Sequence, residues 1–145
     1  MIGIIILTHG DFCRGIKESC EMIVGPQNDI ATIPLTDKGI DNFHTKVIKI
    51  MDDFREKYQY VFILTDFKNA TPYNEAYRYI LANNDKKFFL ISGVNLPLLV
   101  ELVLRKPYLE KIDVFIQELI NTGRSAIEFS ECKFNEGEVN EQDEL

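Results

Sequence analysis

The chain opens with an apolar run, Ile2 to Thr8, that ends in His9 and Gly10. A run this short and this rich in isoleucine predicts a strand buried on both faces, as in a parallel sheet. Sheets of that kind carry their chemistry at the carboxyl edge of the strands, where the strand order reverses. The first strand therefore delivers one of only two histidines in the chain to the edge where a site is expected.

Further apolar runs alternate with helical patterns, which predicts an α/β domain with right-handed crossovers. The predicted strands cover 2–8, part of 29–35, 60–65 and 87–92; the predicted helices cover 12–24, a segment capped by Asp41, 72–82, 97–104 and 108–121. This order predicts a doubly wound, mostly parallel sheet with strand order 2-1-3-4. Residues 126–130 are expected to add a short final strand.

Length and charge predict one folded domain with an acidic extension. The chain has 145 residues, enough for a single sizeable core, and a net charge of −7. Residues 131–145 contain six acidic residues and one lysine, which accounts for −5 of that charge. We therefore expect a domain over 1–130 and a disordered acidic tail over 131–145. The nearly neutral domain argues against a nucleic-acid groove, which needs clustered cations.

Cysteine spacing and hydropathy exclude several other classes. The three cysteines show no CxxC spacing, and Cys13 and Cys20 lie seven residues apart, so they are expected on one buried helix face. No segment has the roughly 18 apolar residues of a membrane span, and the N-terminus lacks the basic flank of a signal peptide. The expected location is the cytoplasm, without membrane insertion.

A second strand end supplies a partner for the histidine. The strand over 60–65 ends at Asp66, and strands 1 and 3 are neighbours in the predicted order, so His9 and Asp66 are expected to touch. The carboxylate would accept an N–H from one ring nitrogen and leave the other nitrogen free to attack. Thr71 would add a hydroxyl at a helix N-terminus, where backbone N–H groups stabilise a phosphoryl group. His44 is expected to be an ordinary helix residue.

The motifs of cofactor-dependent sites are missing from this edge. His9, Asp11 and Asp66 could surround a cation, but no HxH or HExxH spacing supports a metal centre. No Walker A loop or GxGxxG follows the first strand, and there is no serine-nucleophile elbow. We expect neither a cofactor nor a metal.

Three stretches resemble the EIIA component of the mannose-class sugar phosphotransferase system, and the resemblance covers roughly residues 1–130. They are IIILTHG at 4–10, LTDFKNATPYN at 64–74 and ISGVNLP at 91–97, the last being the most specific. The resemblance implies that His9 accepts phosphate, that Asp66 holds its imidazole, and that Thr71 stands where the family has a serine beside the phosphoryl group.

The same resemblance implies loops and partners. Residues in the three motifs would form the loops that meet the phosphoryl group or the partner, namely Gly10, Lys68, Asn69, Asn95 and Pro97. The donor would be HPr and the acceptor a separate EIIB chain, with peripheral association to a sugar permease. Family members form homodimers that exchange a C-terminal strand, here 126–130. The chain departs from the family at Lys68-Asn69-Ala70, where the pattern has Phe-Gly-Gly.

Other functions remain open on the sequence. One is a regulatory module of the same fold that is phosphorylated on His9 and controls a partner protein. Another is the phosphotransfer subunit of a dihydroxyacetone kinase, although the turn at 93–97 favours the mannose class. A receiver domain phosphorylated on Asp66 would need paired acids after the first strand, and a histidine phosphatase would need a second histidine in the pocket.

Overall fold

A computed structural model describes residues 1–135 as four strands, each followed by an α-helix, and a fifth α-helix at the end. The elements are β1 Ile2–His9, α1 Phe12–Val24, β2 Ile30–Leu35, α2 Ile40–Lys57, β3 Tyr60–Thr65, α3 Thr71–Asn83, β4 Phe88–Ser92, α4 Leu96–Arg105, a 3₁₀ turn Lys106–Tyr108 and α5 Ile112–Ser125. Most of the predicted acidic tail, residues 136–145, lies outside the described residues; 131–135 are exposed and irregular.

The sheet is parallel with the order β2-β1-β3-β4, so the predicted order 2-1-3-4 is confirmed. In the register between β1 and β3, Leu7 lies opposite Thr65. The residues that follow, Thr8 in β1 and Asp66 just after β3, therefore lie at nearly the same level. This register brings the first and third strand ends together at the carboxyl edge.

The core lies in two layers on either side of β1. Consecutive residues Ile4, Ile5, Ile6 and Leu7 have no exposed surface, which fits the two-faced burial predicted from the run. Ile4 and Ile6 pack with the buried sides of α1, α4 and α5, whereas Ile5 and Leu7 pack with those of α2 and α3. Burial of large apolar side chains on both faces fixes the strand and hence the position of the residue that follows it.

Several sequence-based boundaries are corrected. Asp41 does not cap α2: the helix begins at Ile40 with Gly39 at its N-cap, and Asp41 lies in the first turn. Gly39 takes the cap because its φ of 94° belongs to the left-handed region that glycine tolerates. The last helix ends at Ser125 rather than near Asn121, because its buried stripe continues to Gly123.

The final strand expected over 126–130 does not form in this single chain. The segment is irregular, and its apolar residues Ile127 and Phe129 are 81% and 90% exposed. A strand needs a neighbour to take up its backbone N–H and C=O groups, and within residues 1–135 no strand pairs with this segment. Exchange of the segment with a second subunit stays a prediction. Among the helices described, none is long and apolar enough to cross a membrane.

One glycine in β1 is required by close packing. A Cβ on Gly3 would lie 2.6 Å from Cδ2 of Tyr58 and 2.8 Å from Cδ2 of Phe54. The two rings are buried, lie 4.8 Å apart and belong to one core layer, so they have little room to move. We expect Gly3→Ala to lower the free energy of unfolding by about 1–3 kcal/mol through overpacking, as measured by urea denaturation.

Gly15 is the matched control for that substitution. It lies in α1, and a Cβ there would meet nothing within 4 Å. Gly15→Ala is expected to raise stability by about 0.5–1 kcal/mol, because glycine loses more conformational freedom in a helix than alanine. Equal effects of the two substitutions would contradict the packing argument.

Candidate functional site

His9 and Asp66 meet at the carboxyl edge of the sheet, as the sequence predicted. The Nδ1 atom of His9 lies 2.9 Å from Oδ2 of Asp66, and the backbone N–H of His9 donates to the same oxygen at 2.9 Å. The imidazole is 53% exposed, whereas the carboxylate is 18% exposed. One carboxylate oxygen thus fixes both the backbone and the ring of the histidine.

This contact determines which ring nitrogen is free. An ionised carboxylate only accepts hydrogen bonds, so Nδ1 of His9 must carry the proton that Asp66 accepts. In the neutral ring, Nε2 then holds the lone pair, and it has no hydrogen-bond partner within residues 1–135. The arrangement can present Nε2 as a nucleophile and compensate a positive charge that develops on the ring.

The turn after β1 is fixed by hydrogen bonds of the buried Thr8. Its hydroxyl donates to the carbonyl oxygen of Gly10 at 3.2 Å and accepts the N–H of Cys13 at 2.8 Å. The N–H of Gly10 donates to the carbonyl oxygen of Leu35 at the end of β2. Gly10 has a φ of 54°, a left-handed conformation that glycine adopts without strain. The His9 backbone is therefore held on both sides.

Cys13 is the nearest thiol to this turn, but it is unsuited to act as a second nucleophile. Its side chain is fully buried, and burial raises the pKa of the thiol. The thiolate is the reactive form of cysteine, and a raised pKa makes it scarcer at neutral pH. Cys13 and Cys20 are both buried, in agreement with the sequence-based expectation.

The loop from Asp66 to Thr71 carries the departures from the family pattern. Lys68 and Asn69 are exposed, and Asn69 adopts a φ of 65°, which asparagine tolerates better than most residues. Thr71 is the first residue of α3, with Ala70 at the N-cap, and it is half-buried. Its hydroxyl has no hydrogen-bond partner within the described part of the chain, so it is free to meet an incoming group.

Asn95 and Pro97 lie in the turn between β4 and α4. The Asn95 side chain accepts the N–H of Leu98 at 3.1 Å and donates to the carbonyl oxygen of Gly123 at 2.8 Å. It therefore caps α4 and ties it to the end of α5, which is a structural role within the chain. Pro97 is exposed in the first turn of α4, where a missing N–H costs nothing.

The imidazole of His9 is half exposed, and two of the larger cavities of the chain lie away from it. A cavity of about 630 Å³ lies at the opposite edge of the sheet, between Met1, Asp29, Tyr60 and Lys106. A second depression of about 540 Å³ borders the loop at Lys68 but is lined by β4 and α5 rather than by His9. Small-molecule sites are usually concave and bury most of their ligand, so an exposed imidazole fits a protein partner better. Residues 1–135 contain no cluster of metal-ligating side chains.

Comparison with known proteins decides the family. The family model described as the PTS system fructose IIA component (EIIA-man) matches residues 3–120. The chain belongs to the EIIA-man family. The fructose-specific EIIA component of Bacillus subtilis (strain 168) is 35% identical over 115 residues, which cover 79% of this chain and 77% of that protein.

Other relatives of this EIIA chain agree. The mannose-specific EIIAB component of Escherichia coli (strain K12) is 25% identical over 91% of this chain, which spans only 40% of that longer protein. A crystal structure of an EIIA component from Streptococcus agalactiae superposes with a TM-score of 0.78 at 29% identity, covering 89% of this chain and 97% of the other. A PTS IIA protein associated with the fucose utilization operon of Streptococcus pneumoniae has the same TM-score at 28% identity, with 88% and 92% covered.

Sequence reasoning missed two residues of this EIIA chain. Thr8 was considered only as the end of a strand, although a threonine just before a turn and a helix is a common source of side-chain-to-backbone hydrogen bonds. Glu75 was not singled out, although the structure places its carboxylate 2.5 Å from Nδ1 of His44. No local pattern pairs two residues from separate helices, so this contact required the tertiary structure.

The tautomer of His9 provides a direct test of its contact with Asp66. In the wild type, neutral His9 is expected to be mainly the Nδ1–H form, because only that form can donate to the carboxylate. Replacing Asp66 with alanine removes the acceptor and is expected to shift the ring towards the Nε2–H form. Long-range ¹H–¹⁵N NMR spectra distinguish the two tautomers.

His44 is the internal control in the same spectra, since the chain has only two histidines. Its ring contacts Glu75 rather than Asp66, so its signals should be unchanged by Asp66→Ala. A His9 ring that kept the same tautomer population in Asp66→Ala would show that the carboxylate does not set it.

Proposed function

We propose that this EIIA component is a phosphoryl carrier that accepts phosphate on His9 from phospho-HPr and passes it to an EIIB domain. The main observation in its support is the contact of Nδ1 of His9 with Asp66, which leaves Nε2 of a half-exposed ring without a hydrogen-bond partner in residues 1–135. The relatives are named for fructose, for mannose and for fucose utilization, so we assign a sugar phosphotransferase system without assigning its sugar.

The transfer balances without a cofactor. The lone pair on Nε2 of His9 attacks phosphorus, the N–P bond of the donor breaks, and its electron pair stays on the donor imidazole. His9 then carries a proton on Nδ1 and a phosphoryl group on Nε2, which makes the ring an imidazolium. The carboxylate of Asp66 faces that positive charge and stabilises it. Transfer to EIIB repeats the step with His9 as the leaving group.

Positioning and hydrogen-bond donors supply the remaining catalysis, since phosphoryl transfer needs little covalent help from the protein. The Thr71 hydroxyl is free and lies at the start of α3, where backbone N–H groups are unpaired. Lys68 adds an exposed cation in the same loop, which compensates for the charge of the phosphoryl oxygens. In this proposal the surface that contacts the partner protein includes Gly10, Asn69 and Pro97.

The exposed C-terminal segment supports a homodimer that exchanges residues 126–130. Within residues 1–135, β4 pairs with β3 on one side and with no strand on the other, and the depression beside it is lined by the apolar residues Leu90, Ile116 and Ile120. Ile127 and Phe129 are 81% and 90% exposed, and they alternate with Glu128 and Ser130 in the way the residues of a half-buried strand do. A free edge strand favours pairing with another chain.

We further propose a folded domain over 1–130 followed by an acidic tail. The domain would work in the cytoplasm and associate with a sugar permease only at its surface, and nucleic acid would not be a partner. The nearly neutral charge of the domain supports the last point.

Phosphorylation by the relay tests the proposed role of His9. After incubation with phosphoenolpyruvate, the general enzyme and HPr, the wild type should carry one acid-labile phosphoryl group on the tryptic peptide covering residues 1–14. His9→Ala should carry none on that peptide, as measured by mass spectrometry at alkaline pH. A phosphoryl group that persists there in His9→Ala would contradict the proposal.

Asp66→Asn should slow this reaction by about a hundredfold or more, because the amide cannot neutralise the imidazolium. Asp53→Asn is the matched control: Asp53 is an exposed carboxylate on α2, away from the carboxyl edge. Its rate should equal that of the wild type. Equal rates for both variants would remove Asp66 from the mechanism.

The dimer has its own test. Replacing both Ile127 and Phe129 with serine should shift the sedimentation coefficient from a dimer to a monomer, because the exchanged segment would lose its apolar contacts. Tyr108→Ser is the control, since Tyr108 is also 81% exposed but lies at the opposite end of α4. A wild type that sediments as a monomer would contradict the proposed exchange.

A further inference from the structure

The second histidine of the chain repeats the arrangement of the first. Nδ1 of His44 lies 2.5 Å from Oε2 of Glu75, just as Nδ1 of His9 faces Asp66. The side chains of the two histidines are similarly exposed, 55% for His44 and 53% for His9. Nε2 of His44, like that of His9, has no hydrogen-bond partner within residues 1–135.

The carboxylate of this second pair is the more buried of the two. The Glu75 side chain is 6% exposed, against 18% for Asp66. Besides His44, its one charged neighbour among the described residues is the guanidinium of Arg78, 3.6 Å from Oε1. A buried carboxylate needs a hydrogen-bond partner, and the exposed imidazole of His44 provides it here. The contact restricts the orientation of the ring. The proton on Nδ1 must face Glu75, so Nε2 is the nitrogen of this half-exposed ring that keeps its lone pair.

The pair lies near the edge that carries His9. His44 is the fifth residue of α2 and Glu75 is the fifth residue of α3. Both helices begin at the carboxyl edge of the sheet and pack on the same face of it. The pair therefore lies about one helical turn, roughly 5.4 Å, behind that edge. The role proposed for His9 makes no use of it.

We propose that His44 is a second phosphoryl-accepting residue, with Glu75 as the residue that orients its ring. The group it would take is an N-linked phosphoryl group from a small phosphoramidate donor. The Nε2 lone pair forms the new N–P bond while the P–N bond of phosphoramidate breaks. The leaving nitrogen already carries its protons and departs with the electron pair as ammonia. The ring keeps its proton on Nδ1, and Glu75 faces the resulting imidazolium charge.

The surroundings of His44 also predict a difference from His9. His44 lies within a helix, where the neighbouring backbone N–H groups are used by the helix itself. Among residues 1–135, Arg78 is the cation within 4 Å of the Glu75 carboxylate, and its side chain is 75% exposed. The free phosphoryl oxygens would therefore meet a guanidinium rather than loop N–H groups. Modification would place a dianionic phosphoryl group on the surface between α2 and α3, and with the positive charge gained by the ring the net change would be one negative charge.

The test uses the full chain carrying His9→Ala, so that His44 is the only histidine, and potassium phosphoramidate as the donor. The rate is followed as an acid-labile phosphoryl group on the tryptic peptide covering residues 39–46. This test involves neither HPr nor His9, so its outcome is independent of the function proposed above.

An ordinary surface histidine sets the reference rate, because phosphoramidate reacts slowly with any exposed imidazole. Tyr77→His in a chain that also carries His9→Ala and His44→Ala supplies one. Tyr77 is 47% exposed on α3, and the residues three and four positions away are Tyr73, Asn74, Ile80 and Leu81, none of them acidic. This histidine resembles His44 in exposure but lacks a carboxylate partner.

We expect His44 to react at least about tenfold faster than the reference, which corresponds to about 1.4 kcal/mol in the barrier. Adding Glu75→Gln should reduce the rate at His44 to that of the reference. Where that variant does not fold, the His9→Ala chain in concentrated urea should show the same loss of rate, because the contact with Glu75 is then absent. A folded His9→Ala chain in which His44 reacts no faster than the reference would overturn the proposal.

Discussion

Burial of β1 on both faces is the constraint on which the rest of the molecule depends. Four consecutive residues, Ile4 to Leu7, have no exposed surface, and they belong alternately to two core layers. If the strand shifted by one residue, the side chains that face one core layer would face the other. The strand is thus fixed in register, and the residue that leaves the sheet at its end is always His9. The helices that cover the two faces serve the site by holding this one strand.

The arrangement of the sheet could be predicted from the sequence, because strands and helices leave different patterns of apolar residues. Short apolar runs alternate with amphipathic helices, and this pattern predicts both the parallel sheet and the strand order that the structure has. The contact between His9 and Asp66 followed from the same order. Helix ends were less predictable: Gly39 rather than Asp41 begins α2, because backbone conformation decided the position and not the capping tendency of a side chain.

Side-chain contacts between two helices could not be predicted from the sequence. His44 and Glu75 lie 31 residues apart, and their helices meet only because both pack on the same face of the sheet. The pairing depends on the angle between α2 and α3, which no local pattern encodes. Asn95 is a similar case. Its motif indicated a partner-binding loop, and the structure adds hydrogen bonds that cap α4 and join it to Gly123. A residue in a recognisable motif can thus have a structural role as well.

The separation of His9 from Asp66 along the chain has a consequence for folding. The two residues are 57 positions apart and meet only when β3 has docked beside β1, which closes a loop that contains α1, β2 and α2. Contacts of such long range require the closure of a long loop, whose entropic cost must be met before the contact can contribute. A nascent or partly folded chain therefore has no oriented imidazole. Competence to carry a phosphoryl group would itself report that the domain has been completed.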